Sequence, residues 1–173
     1  MDIDHAFDAK GNFDRILGYD MSSKTQKDIC SFVKATSLPF IVKGVLSRQD
    51  AYKCLMAGVK GIVVSHHHGI MDYAVPPLRI LPEIVKVVQG QIPVFVDCGI
   101  ISGMDAYKAL ALGAAAVCAG RVVMGPLGEN GAEGVRDQIL GMNEELKGVM
   151  ARTGCGDLGS MDSSVIVPTK IPV

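Results

Sequence analysis

The sequence predicts an α/β protein built on a parallel sheet, and three observations carry that prediction. Short β-branched runs alternate with helical patterns along the chain. Those runs are apolar at nearly every position, as strands buried on both faces are. The connections are short, which in such a sheet means right-handed crossovers. With 173 residues, the chain suits one domain, residues 1–173, with a real core. A closed eight-stranded barrel needs ~250 residues. About five βα units therefore make an open sheet or part of a barrel.

Each element has its own reason. Met1–Asp4 is a candidate first strand, with a helix over residues 24–36 after it. Pro39 precedes the run Phe40-Ile41-Val42-Lys43. Ser47 caps a helix that runs through Ala57 and stops at Gly58. Gly61-Ile62-Val63-Val64-Ser65 is the next strand, followed by a helix from about Pro82 to Gln89. Pro93-Val94-Phe95-Val96-Asp97 leads to a helix from near Ser102 to Gly113. Ser-x-x-Asp at Ser47 and again at Ser102 has the spacing of an N-cap, with Asp in place of the usual Glu. Ala115 to Gly120 is a weaker strand. In the last helix Val135, Ile139, Met142, Leu146 and Val149 recur at three- and four-residue steps, which predicts one stripe facing a core.

Composition removes several function classes. Hydrophobic residues are 49% and charged residues 20% of the chain, values that exclude a disordered chain. Lys and Arg number 17 against 18 Asp and Glu. No basic run occurs, and there is no Trp to stack on bases, so no nucleic-acid partner is expected. Mean hydropathy is +0.30, yet no apolar run approaches the ~18 residues of a membrane span. No membrane partner is expected. The first residues, Met1-Asp2-Ile3-Asp4, are acidic where a secretory signal is basic. Five cysteines at unrelated spacings, without a Cys-x-x-Cys pair, point to a reducing, cytoplasmic setting.

Every expected strand ends in a chemical handle: Lys43, Ser65 with the histidines, Asp97, and Gly120-Arg121. The carboxyl edge of a parallel sheet is where ligands bind. Gly99 and Gly120 follow successive strands, where bare backbone N–H groups can point at phosphate, and Arg121 adds a bidentate cation. Lys43 is suited to a flavin, a Schiff-base partner or a carboxylate, or is a solvated strand end. Asp97 either accepts from a ribityl or ribose hydroxyl or caps the following turn. His66-His67-His68 cannot all face one point, and no acidic or thiol partner stands at ligand spacing, so no metal is expected. One of these histidines fits a general base near neutral pH. Asp72, in the loop from Gly69 to Pro77, is either catalytic or an ordinary loop residue.

Several motifs in order carry a resemblance. The stretch Leu38-Pro-Phe-Ile-Val-Lys-Gly-Val-Leu46 is followed by Ala57-Gly-Val-Lys-Gly-Ile-Val-Val-Ser65, Ile92-Pro-Val-Phe-Val-Asp97, Lys108-Ala-Leu-Ala-Leu-Gly-Ala114, Gly120-Arg121 and Met150-Ala-Arg-Thr-Gly-Cys155. Over roughly residues 37 to 158 the chain resembles the FMN-dependent α-hydroxy-acid oxidase and dehydrogenase family, of the glycolate oxidase and L-lactate oxidase type. The resemblance implies the carboxyl-terminal half of a (β/α)8 TIM barrel, strands four to eight. It implies FMN as cofactor, a small-molecule hydroxy-acid substrate, and either a homo-oligomer, a partner chain supplying the other half, or a truncated product. By the same resemblance Lys43 stabilises negative charge on reduced FMN. Ser65 contacts the flavin, Asp97 and Gly99 hold the ribityl chain and phosphate, and Gly120 and Arg121 hold the phosphate. His67 aligns with the catalytic base.

The departures are equally specific. The family reads Ser-Asn-His-Gly where this chain reads Ser65-His66-His67-His68-Gly69, and His68 takes the base position only after a one-residue shift. Ile70 stands where the family has the arginine that clamps the substrate carboxylate. Ile101 stands at the position of a second arginine, and Cys98 replaces a glycine. Two rivals share these residues: another flavin or sugar-phosphate barrel enzyme, and a half-barrel that binds FMN or phosphate without oxidase activity of its own.

Overall fold

The computed structural model describes residues 1–4, 10, 12–67 and 74–167. A small antiparallel hairpin, β1 (Arg15–Ile16) and β2 (Tyr19–Asp20), opens the described fold. The α/β unit follows as α1 (Gln26–Lys34), β3 (Ile41–Val45), α2 (Arg48–Met56), β4 (Gly61–Val64), α3 (Pro77–Val88), β5 (Val94–Val96), α4 (Gly103–Ala111), β6 (Ala116–Val117) and α5 (Met124–Arg152). The sheet order is β3-β4-β5-β6, parallel throughout. Met1 to Ile3 lie along the outer side of β3. Lys43 N–H donates to Met1 O at 2.8 Å and Ile3 N–H to Lys43 O at 2.8 Å. The five expected βα units are therefore present, the first strand as a single parallel bridge of Asp2 with Lys43.

The central strand β4 is buried at every position, as its unbroken apolar run required. Val42, Val45, Ile62, Val64, Leu81, Ile84 and Val96 are fully enclosed between sheet and helices. Ser47 and Ser102 accept from the backbone N–H of Asp50 and Asp105 and cap α2 and α4. Thr25 and Asp28 form a full capping box on α1.

Three expectations are corrected. The α3 helix starts at Pro77, not near Pro82, because a proline in the first turn forfeits no helical bond. Pro82 is carried inside it. The final strand shrinks to Ala116–Val117, since a 3-10 turn begins at Arg121. In α5 only Met142 is buried, while Ile139 is 37% exposed. The α4 backbone presses α5 at one place: a Cβ on Gly103 would lie 2.3 Å from Met142 O. The stripe is seated at that crossing and not along its length. The helix also breaks at Asn130 and Gly131. The β1–β2 hairpin was not foreseen, because its turn, Leu17-Gly18 with both φ positive, lacks the Asn-Gly or Asp-Gly signature.

Candidate active site

The carboxyl ends of β3, β4, β5 and β6 converge on one cleft of about 220 Å³. Lys43, His67, Asp97, Gly99, Gly120 and Arg121 all line it, so six of the seven expected site residues come together. Ser65, the seventh, is fully buried just beneath. Its hydroxyl accepts from the His67 backbone N–H at 3.2 Å. This bond helps hold His67 at φ +48, a left-handed turn that swings the imidazole over the strand ends. His68, Ile70 and Asp72 lie outside the described residues.

Lys43 is the hub. Its Nζ donates to Asp2 Oδ1 at 2.9 Å, lies 3.6 Å from Asp97 Oδ2, and approaches His67 Nδ1 at 3.3 Å. Burial works to lower its pKa, but the bond to Asp2 and the charges of Asp97 and Asp4 outweigh it. The ammonium is held above its ordinary value. Asp4 Oδ1 stands 3.5 Å from His67 Nδ1, and neither Asp4 oxygen has a hydrogen-bond partner among the described residues. That carboxylate fits only because residue 44 is glycine at φ +98: a Cβ there would lie 2.5 Å from Asp4 Cγ.

Asp2 and Asp4 are the contacts of Lys43 and His67 that sequence reading missed. Their signal is the alternation Asp2-x-Asp4 on a strand-like segment, which turns two carboxylates the same way. With His67 they bring three ligand-type atoms within 4.8 Å of one another, which the sequence did not show. The Lys43 ammonium already stands among them and supplies the positive charge such a cluster attracts. Cys118 and Ile100 also line the cleft. Burial, then the Asp97 charge, pushes the Cys118 thiol up, with Lys43 opposing. Ile101 faces the same space.

One end of the cleft is thus built for an anion. Among the described residues, neither Gly99 nor Gly120 has any atom within 4 Å of where a Cβ would stand, which leaves their backbone accessible to a close ligand. Arg121 stands beside them. The other end is lined by Lys43, His67 and Asp97, with Asp2 against Lys43 and Asp4 against His67. The donor set suits a phosphate joined to a group that takes up negative charge.

Residues 6–168 match the family described as FMN-dependent dehydrogenase. The chain belongs to that family. FMN is the family's cofactor, and the fold is that of part of its TIM-type barrel. The chain is 40% identical over 157 residues to glycolate oxidase of Spinacia oleracea, covering 90% of this chain and 41% of the relative. It is 39% identical over 178 residues to 2-hydroxyacid oxidase 1 of Mus musculus, covering 98% and 48%. Among solved structures, a mandelate oxidase variant with a monooxide FMN adduct superposes with a TM-score of 0.81. That match has 38% identity and covers 92% of this chain and 51% of the other. The chain spans about half the length of the relatives it matches.

Proposed function

We propose that this chain forms the FMN-binding, catalytic half of an oxidoreductase acting on a 2-hydroxy acid or a related hydroxy compound. The observation that carries the reading is the cleft itself, with an open glycine and arginine end for phosphate and a Lys43–His67 end for chemistry. Gly120 and Arg121 would hold the phosphate, Asp97 and Gly99 the ribityl chain and phosphate, Ser65 would contact the flavin, and Lys43 would face the ring. Bound FMN supplies the two-electron acceptor.

The protein's own part is to move a proton and balance charge. His67 accepts the proton released as the substrate carbon is oxidised. With Nδ1 turned to Asp4 and Lys43, Nε2 is the nitrogen we assign to the substrate. In the tautomer whose Nδ1–H faces Asp4, that carboxylate at 3.5 Å stabilises the imidazolium, and the Lys43 ammonium 3.3 Å from the same nitrogen opposes it. Lys43, kept protonated by Asp2 and Asp97, offers a fixed cation where negative charge gathers. The five free thiols support our placing the protein in a reducing, cytoplasmic compartment.

Ile101 narrows the substrate. An aliphatic side chain in place of a fixed cation leaves a small carboxylate without that charged partner, and Ile70 makes the same exchange in sequence. Losing such an ionic contact costs ~2–5 kcal/mol, at mid-range about two to three decades in kcat/KM. The favoured substrate is therefore larger or more apolar than glycolate or lactate. The test is anaerobic mixing of FMN-loaded protein, with any complementing half, with glycolate, lactate and bulkier apolar 2-hydroxy acids. Faster loss of oxidised-flavin absorbance with the bulkier compounds is the expected result. Bleaching by none of them overturns the oxidase reading, and fast turnover of lactate overturns the substrate reading.

A further inference from the structure

We propose that Cys98 is a positioning residue: its thiol fixes the Asp97 carboxylate in the orientation that faces Lys43. The proposal's ligand arm rests on the FMN reading above; its structural arm does not.

Cys98 has φ +64, a backbone conformation that glycine adopts freely and a side chain does not. The family pattern has glycine at this place, so the turn itself needs no thiol. What the side chain adds is a set of contacts. Sγ–H donates to Asp97 Oδ1 at 2.9 Å, and Sγ lies 3.6 Å from the hydroxyl of Ser65, which is fully buried at the end of β4. The thiol thereby ties the ends of β4 and β5 together.

The consequence falls on the other Asp97 oxygen. The terminal torsion of an aspartate is broad and nearly two-fold, so a carboxylate held only by an ammonium swings to meet it. With Oδ1 occupied by the thiol, Oδ2 stops 3.6 Å from Lys43 Nζ, well short of the 2.9 Å contact Lys43 makes with Asp2. Lys43 is steered toward the cleft without being captured by Asp97. Cys98, Asp97 and Lys43 line the same space, so whatever binds there meets a carboxylate and a cation in the relation the thiol sets.

Two measurements on the full chain decide this. The first needs no cofactor: thermal unfolding of Cys98→Ala, Asp97→Ala and the double variant. The two single shifts should sum to more than the double shift by about 2–4 °C, the size that a coupling of one ordinary hydrogen bond takes in a chain of this length. Strictly additive shifts overturn the proposal. The second is FMN titration by flavin fluorescence. Cys98→Ala and Cys98→Gly should weaken binding about five- to tenfold, and Cys98→Ser, whose hydroxyl can donate to the same oxygen, should recover it to within about twofold. A glycine variant that binds FMN as tightly as the parent overturns the proposal. If the parent takes up no FMN, the cofactor reading fails, and the unfolding cycle alone decides whether Cys98 positions Asp97.

Discussion

At the scale of single residues the site depends on one tight backbone approach. Gly44 at φ +98 leaves room for the Asp4 carboxylate, whereas Gly99 at φ +80 meets no described atom. Both conformations disfavour a side chain by ~1–2 kcal/mol. Gly99→Ala should therefore cost about that much in chemical denaturation, and Gly44→Ala clearly more, because Asp4 must also move. Equal losses would mean that Asp4 does not occupy the space beside Gly44. The cysteines also separate. Hydrogen bonding with the Tyr107 hydroxyl, then with Thr153, holds the Cys155 thiol below its ordinary pKa. Burial pushes Cys54 up to about 11. Since the thiolate is the nucleophile, iodoacetamide at mildly alkaline pH should modify Cys155 early and Cys54 last, as read by peptide mass spectrometry. Lys43 gives a pH dependence of definite sign. Its proton is held more tightly folded than unfolded. The stabilisation is therefore complete below the ordinary value of 10.5 and fades as pH climbs through the folded value. The stability gap between the parent and Lys43→Met should be flat from neutral pH to about pH 10 and shrink above it. The strand-end handles Lys43, Asp97 and Arg121 were legible in sequence because the carboxyl edge of a parallel sheet collects them. Asp2 and Asp4 were not, because their partner His67 is distant in sequence and reaches them only through a left-handed turn.

At the scale of elements, local chemistry and tertiary packing divide the explanation. The caps were legible: Ser47 and Ser102 each stand three residues before an Asp whose N–H they accept. Ser47→Ala and Ser102→Ala should each cost ~1 kcal/mol in chemical denaturation. A loss near zero would mean that the caps add nothing to what packing already holds. The start of α3 and the seating of α5 were less legible. Proline reads as a boundary from sequence alone, but Pro76-Pro77 supplies a preset first turn and Pro82 is absorbed behind it. The apolar stripe of α5 implied a long buried contact, yet only Met142 is buried, where the α4 backbone at Gly103 presses close, and the helical geometry breaks at Asn130–Gly131. A short hairpin such as β1–β2 has too little alternation to show a period at all.

At the scale of the whole molecule the sheet is open. Among the described residues, neither the outer side of the Met1–Ile3 segment nor that of β6 pairs with a further strand. Apolar side chains on the hairpin are bare, with Leu17 93% and Tyr19 78% exposed. Unpaired edges and apolar patches recruit partners. The chain on its own should self-associate, or pair with a chain carrying the remaining strands. A monodisperse monomer by light scattering at micromolar concentration would contradict this. The fold class was legible because alternating buried strands and short crossovers allow few arrangements. What completes the barrel was not, because strand edges are a property of the neighbour as much as of the chain.

The central claim is that one cleft holds FMN by its phosphate at Arg121 and does its chemistry at His67. The most direct measurement is FMN titration of the full chain, by flavin fluorescence, for the parent, Arg121→Ala and His67→Ala. Arg121→Ala should weaken binding by ~1.5–3 kcal/mol, the scale of a charge-assisted hydrogen bond. His67→Ala should bind nearly as the parent does. Equal weakening by both substitutions, or none from Arg121→Ala, would contradict the division of the cleft into a phosphate end and a catalytic end.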